Sequence, residues 1–285
     1  MKSGHYCGIS SSDRKVIVAA YAGLLLLFLS GSLCASSPLP VQAPPVSYKP
    51  VSQVDKPVTA LKPFVATYMI TAMGLEGINV TNSLSLDKAR GERQEYHFKS
   101  YSMPIGLLAF KKDETRDEQS EGQVLAGKLQ PERYSFLQLR DNETHRNVEI
   151  IFDWHRKEAT NHHKHKNSKW SMSVPLHATD KLSYQLSLML KLANNPEKHF
   201  SLDVADGGRI KTYDFEILGE ERVYTSLGSY KTIKIHHQRY HKDKNITLWC
   251  APELHYLPVK IIQEESGKPD FISTLISYQE GMTGN

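Results

Sequence analysis

Beyond Pro63 the chain alternates. Runs such as "FVATYMIT", "EYHFKSYS", "RYSFLQLR", "NVEIIFDW", "KTYDFEIL", "YKTIKIHHQRY", "PVKIIQEE" and "FISTLISY" carry apolar residues at every second position and are separated by turn signals, the pattern of half-buried strands. One face of each is buried and one is wet. Many such runs in succession predict an antiparallel sheet that curls into a barrel or spiral. No repeat of fixed period is evident. One segment breaks the alternation: "DKLSYQLSLMLKLANNPEKH" places Leu182, Leu186, Met189 and Leu190 at helical spacing, with Asp180 or Thr179 as cap and Asn194-Asn195-Pro196 as stop. Leu188 and Leu192 widen its apolar stripe, which predicts a helix packed into the concave face of the sheet. A membrane-surface helix is the alternative, but the polar face is not strongly basic. The expected fold class is mostly β: a curved antiparallel sheet, barrel-like or spiral, with one amphipathic helix.

The N-terminus follows another pattern. A polar stretch ending in Arg14-Lys15 precedes "VIVAAYAGLLLLFLS" (residues 16–30) and the small-residue segment "GSLCASS", which reads as a secretory signal peptide. Its apolar run is short for a hydrocarbon core of about 30 Å, which favours cleavage over a permanent anchor. Cleavage after Cys34, Ala35 or Ser36 fits, whereas Leu33 suits lipoprotein processing at Cys34 poorly. Residues 36–63 then hold seven of the chain's 14 prolines and read as an extended linker, or as a leader on a soluble protein. The expected organisation is a signal peptide or anchor over 1–35, a Pro-rich linker over 36–63 and a β domain over 64–285. The expected location is the periplasm, with anchoring to the inner membrane if the first segment is retained.

Composition narrows the function classes. A chain of 285 residues with 40% hydrophobic content buries a substantial core. Its 35 basic and 31 acidic residues nearly balance, which argues against a nucleic-acid partner. With Cys7 and Cys34 in the segment expected to be removed or membrane-bound, Cys250 is left unpaired, so no disulfide scaffold is expected. Cys250 beside Trp249 reads as a small buried hydrophobe.

Candidate chemistry is sparse. In "LWCAPELHYLPVKII" (Leu248 to Ile262) Trp249 ends a strand, Pro252 starts a turn and Pro258 opens the next strand, so the segment predicts a hairpin. Glu253 as a catalytic acid would need a base and a pocket. "GQVLAGKL" (Gly122 to Leu129) has the glycines and lysine of a phosphate-binding loop, but Leu129 stands where Ser or Thr must hold the metal, and its flanks read as loop. Ser85 and Lys88 form an isolated Ser-x-x-Lys without companion motifs. In "HRKEATNHHKHKNSKW" (155–170), His163 and His165 would share one strand face beside His162 and are weak metal candidates, with no acidic or cysteine partner nearby. A solvated basic loop, one that can meet an anionic membrane, is the favoured reading. "DETRDEQSE" (113–121) reads as a wet strand edge.

The hairpin segment also carries a resemblance. "LWCAPELHYLPVKI" resembles the Trp-x-Ala-Pro-acidic-Leu-x-Tyr-Leu-Pro-Val-basic segment of domain-of-unknown-function family 3108, found in exported proteins of Gram-negative bacteria. "FVATYMI", "DKLSYQL" and "YDFEILGEERVYTSLGSYKTIKI" agree with it. The likeness covers most of residues 64–281; Cys250 and His255 fall at its loose positions, and the His/Lys stretch after Trp154 is peculiar to this chain. It implies a curved, mostly antiparallel β structure around a helix, similar to lipoprotein-carrier and β-spiral envelope proteins. No catalytic residue is carried over.

Two classes of function follow. The first is a non-enzymatic binding module that holds a lipid, a lipoprotein or another hydrophobic or amphipathic ligand against Leu182, Leu186, Met189, Leu190, Trp249 and Tyr256. The second is a structural or interaction protein that recruits envelope partners and has no small ligand. No cofactor is expected, and membrane contact is expected only if the N-terminal segment is uncleaved.

Overall fold

The computed structural model describes residues 61–281 apart from 92, 112–113, 195–196 and 239–243. The expected leader, and residues 36–60 of the Pro-rich segment, lie outside the described residues. One antiparallel meander comprises β1 (Phe64–Ala72), β2 (Leu75–Leu86), β3 (Arg93–Pro104), β4 (Arg116–Leu125), β5 (Lys128–Arg140), β6 (Glu143–Asp153), β7 (Glu158–His163) and β8 (Ser168–Ser173). The two-residue β9 (Thr179–Asp180) and the helix α1 (Tyr184–Asn194) follow. A second meander then runs through β10 (His199–Asp206), β11 (Arg209–Thr225), β12 (Gly228–Gln238), β13 (Lys244–Ala251), β14 (Leu257–Glu265) and β15 (Phe271–Glu280). Pairing of β1 with β15, from Phe64 opposite Glu280 to Ala72 opposite Phe271, fuses the two into one 15-stranded sheet. Among the described strands, only β9 and β10 pair in parallel.

The sheet cannot be flat. Asp180 on β9 stands at one end of the strand order and Ser120 on β4 lies ten strands away, yet their side chains are hydrogen-bonded at 2.5 Å. Trp170 on the opposite edge strand, β8, donates its indole N–H to the Gly208 carbonyl in the β10–β11 turn at 3.1 Å. Side chains, rather than a continuous backbone ladder, therefore bring the two ends of the sheet together. Helix α1 fills the concavity that results. Leu186, Met189 and Leu190 pack with Phe64, Phe98, Ile150 and Phe152, while Leu188 and Leu192 pack with Phe200, Phe215, Ile235 and Leu248. The widened stripe is thus divided between two apolar clusters, and burying each such side chain contributes about 1.5–3 kcal/mol.

The edge contact leads to a prediction. Gly208 has φ +80°, and a Cβ there would overlap the Trp170 ring; Gly267 has a similar φ of +75° with nothing within 4 Å. Both Gly→Ala changes meet a left-handed backbone costing about 1 kcal/mol. Gly208→Ala is expected to lose at least about 1 kcal/mol more, read as a larger fall in urea midpoint. Equal losses would show that Trp170 does not hold the edge.

Several sequence expectations are corrected. Residues 155–170 form no solvated loop: they build the β7–β8 hairpin, closed by a 3-10 turn over Lys164–Lys166. The acidic run is not a sheet edge, because β4 pairs with β3 on one side and β5 on the other. "GQVLAGKL" is the β4–β5 hairpin, with Ala126 and Gly127 in left-handed turn positions and Val124 and Leu129 in the core. Its flanks are strands rather than loop, and no helix follows to receive a phosphate.

Candidate functional site

The apolar residues singled out from sequence do come together, as core. Leu182, Leu186, Met189, Leu190 and Trp249 are each no more than 5% exposed and share one cluster. Tyr256 is half-buried and touches both clusters. A ligand reaching the first five must displace packed side chains. Trp249 is also flanked by its cross-strand neighbours Lys234 and Lys260, whose ammonium groups lie 5.1 and 5.0 Å from the ring centroid. The following turn places Pro252–Leu254 in a 3-10 segment and His255 and Tyr256 at φ 54° and 64°, with the Tyr256 N–H donating to the Ala251 carbonyl at 2.8 Å. Glu253 is exposed on that turn. Cys250 is fully buried, and burial pushes its thiol well up, away from the reactive thiolate.

His163 and His165 do not share a strand face. The strand ends at His163, whose Nδ1 accepts the Lys166 N–H at 3.3 Å, and His165 falls within the 3-10 turn. Burial, then Lys166 and Arg146, lower the His163 pKa.

The connection into α1 is polar and buried. Asp180 is fully enclosed; its Oδ1 accepts the Leu182 and Ser183 N–H groups at 2.8 Å each, its Oδ2 accepts the Ser120 hydroxyl, and its own N–H donates to Ser183 Oγ at 3.1 Å. This is a reciprocal cap in which Ser183 takes the place of the usual Glu or Gln. Ser120 spends its one hydrogen on Asp180, so the Tyr96 hydroxyl, 3.0 Å away, donates to Ser120. Burial holds the Asp180 pKa above the ordinary carboxylate value, although the bonds from Ser120, Ser183 and Leu182 oppose it. Burial likewise pushes the Tyr96 and Tyr134 phenols well up, so both act as neutral donors. The Tyr134 hydroxyl donates to Glu118 Oε2 at 2.9 Å, and Lys181 reaches Glu118 Oε1 at 3.4 Å. A second buried carboxylate, Asp206, accepts from Lys211 at 2.7 Å and from the Tyr213 hydroxyl at 3.0 Å.

Cross-strand register shows how these groups are laid out. On the face turned toward α1, one rung runs Phe64, Leu84, Phe98, Ser120, Tyr134, Ile150. The next runs Ala66, Asn82, Ser100, Glu118, Phe136, Val148, His163. The third runs Tyr68, Val80, Ser102, Arg116, Gln138, Arg146. Over three rungs the concave face changes from apolar to polar and cationic. Exposure follows in part: Phe64, Leu84, Phe98 and Ile150 are buried, and in the third rung Val80, Ser102, Arg116 and Arg146 are half-exposed while Tyr68 and Gln138 stay buried.

Sequence reading missed this end of the face. A signal exists in "RDEQSEGQV", where Arg116, Glu118 and Ser120 share the strand parity of buried Val124 and must therefore point inward. Among the described residues no group of three His, Cys, Asp or Glu is placed to hold a metal ion.

A single curved, barrel-like sheet wrapped about one helix defines the class of protein. Residues 67–267 match the family described as "Protein of unknown function (DUF3108)", and the chain belongs to that family. No curated protein matches the chain. Among solved structures it is similar to a β-barrel-like protein of domain of unknown function DUF1849 from Brucella abortus, with 12% identity and a TM-score of 0.53 over 79% of this chain and all of the other. A Bacteroides fragilis protein with a YmcC-like fold aligns at 9% identity and a TM-score of 0.39, covering 77% of this chain and 97% of its own. A candidate lipoprotein from Parabacteroides distasonis aligns at 12% identity and a TM-score of 0.38, covering 77% of this chain and 96% of its own. The first likeness supports the barrel-like fold.

Proposed function

We propose that this protein is a non-enzymatic binding module of the cell envelope, located in the periplasm, that takes up an amphipathic molecule at the open end of its concave face. One observation carries the reading: the inward face is graded from a closed apolar core to half-exposed polar positions, the polarity profile of a molecule with a greasy body and a wet head. Location rests on the Arg14-Lys15 and residue 16–30 pattern. The ligand contacts expected at Leu182, Leu186, Met189, Leu190, Trp249 and Tyr256 then become the floor of the site, reached only if α1 shifts.

A second reading has its own support. Helix α1 packs on two sides, as a plug does, and this favours an envelope interaction protein with no small ligand. Mass spectrometry of lipids co-purifying with the full chain, expressed with its own N-terminal segment, separates the two. The binding reading expects an amphiphile enriched to near one per protein over a mock purification. No enrichment, together with no saturable binding of a fluorescent fatty acid, would leave the interaction reading standing.

A further inference from the structure

The third rung of the concave face has chemistry that the core does not use. Arg116, Gln138 and Arg146 are direct cross-strand partners on β4, β5 and β6. Gln138 is 3% exposed, and its Nε2 has no hydrogen-bond partner. Buried amides rarely remain so. Arg116 is half-buried, and among the described residues no carboxylate stands at ion-pair distance from it. Arg146 lies over the Phe136 ring at 5.2 Å and Lys181 over the same ring at 5.4 Å. Arg140 is paired with Glu114 at 3.3 Å, and Lys181 with Glu118 at 3.4 Å. Arg140 and Lys181 thus each have a carboxylate partner, whereas Arg116 has none at ion-pair distance among the described residues. Burial lowers the Arg116 pKa, Glu118 and Glu114 oppose that shift, and Arg140 and Arg146 add to it, so the like charges are close enough to repel.

The groups offered at this rung are donors. Guanidinium has no acceptor, the idle atom of Gln138 is an N–H donor, and the Ser102 hydroxyl beside Arg116 can donate as well. The complement of such a set is an acceptor-only group bearing negative charge. We infer that the Arg116–Gln138–Arg146 rung is an oxyanion site, built to hold a carboxylate or phosphate, and that the head of the bound amphiphile is anionic. The inference about the head group rests on the amphiphile reading above; the oxyanion site stands on the rung alone.

Titration calorimetry on the full chain with laurate, lauryl phosphate, dodecanol and inorganic phosphate, each below its micelle concentration, tests it. Laurate or lauryl phosphate is expected to bind saturably and more weakly as salt rises, with dodecanol at least about tenfold weaker. Arg116→Gln and Gln138→Leu should each cost the anionic ligands about tenfold while leaving dodecanol unchanged, and Arg116→Lys should recover part of the loss because it keeps the charge without the planar fork. Unchanged circular dichroism in Arg116→Lys guards against a folding artefact. Equal affinity for laurate and dodecanol, indifferent to Arg116→Gln, overturns the oxyanion site and leaves the amphiphile reading intact. Inorganic phosphate binding that Arg116→Gln abolishes, with no amphiphile bound, keeps the site and sinks the amphiphile. Binding of none of the four sinks both.

Discussion

Replacing Leu186 with Asp is expected to abolish the native fold. The side chain is fully buried, in the first turn of α1, against the cluster that holds Phe64, Phe98 and Ile150. Asp would lose the transfer energy of a leucine and must also enter an apolar site either charged or protonated, at a combined cost of several kcal/mol. That is comparable to the whole stability of a typical domain, about 5–15 kcal/mol. Leu176→Asp is the control, since Leu176 is 58% exposed and a surface change there should stay within about 0.5 kcal/mol. Circular dichroism and urea titration read both. Near-normal stability of Leu186→Asp would place the helix outside the core and refute its packing in the concavity.

The second large effect is expected at Asp180. Asp180→Ala removes the acceptor for the Ser120 hydroxyl and for two backbone N–H groups at the helix entry. Loss of a cap costs about 1 kcal/mol and each stranded buried donor about 1–3 kcal/mol, so a loss of about 2–4 kcal/mol is expected. Asp180→Asn keeps an acceptor for both N–H groups and should recover most of it. The pH dependence has a definite sign. Because burial raises the Asp180 pKa in the folded state, folding takes up a proton between the unfolded and folded pKa values, and the Asp180 contribution falls as pH rises through that window. Below the unfolded value it is constant. Stability measured across the acidic range should therefore retain this downward component in the wild type and lack it in Asp180→Asn. Identical slopes would mean that Asp180 titrates as an ordinary carboxylate.

Legibility in the sequence tracked how much apolar contrast each strand carried. β1, β3, β5, β6, β11, β12, β14 and β15 alternate plainly, because one face meets the core and the other meets water. β2, β7 and β8 do not and escape notice as strands, while β4 is legible only as a wet strand edge. In β2 the inward Asn82 replaces an apolar residue, in β4 the inward positions are Arg116, Glu118 and Ser120, and β8 is "SKWSMS", exposed along most of its length. The polar end of the concave face is only partly built from these: β2 and β4 bring Val80 and Arg116 to it, whereas Gln138 and Arg146 lie on the plainly alternating β5 and β6. Helix α1 was visible with its cap because Asp180 and Ser183 act over three residues. Its bond to Ser120 was not, since no local pattern reports a contact spanning 60 positions. The His/Lys stretch misled for a related reason: charge density suggested solvent, yet Ala159 and Asn161 alternate inward beneath it.

The pairing of β1 with β15 sets an order on folding. Hairpins from β2 to β8 close over short loops, but the free side of β1 has no backbone partner until the last strand arrives to set Phe64 against Glu280. Loop closure over that span is slow compared with hairpin formation. In the interval the chain carries an open strand in the middle of its future sheet, the kind of edge that invites pairing with other molecules. For this architecture the hazardous moment is the wait for the final strand, and whatever shields β1 during that wait determines how much of the protein reaches its native state.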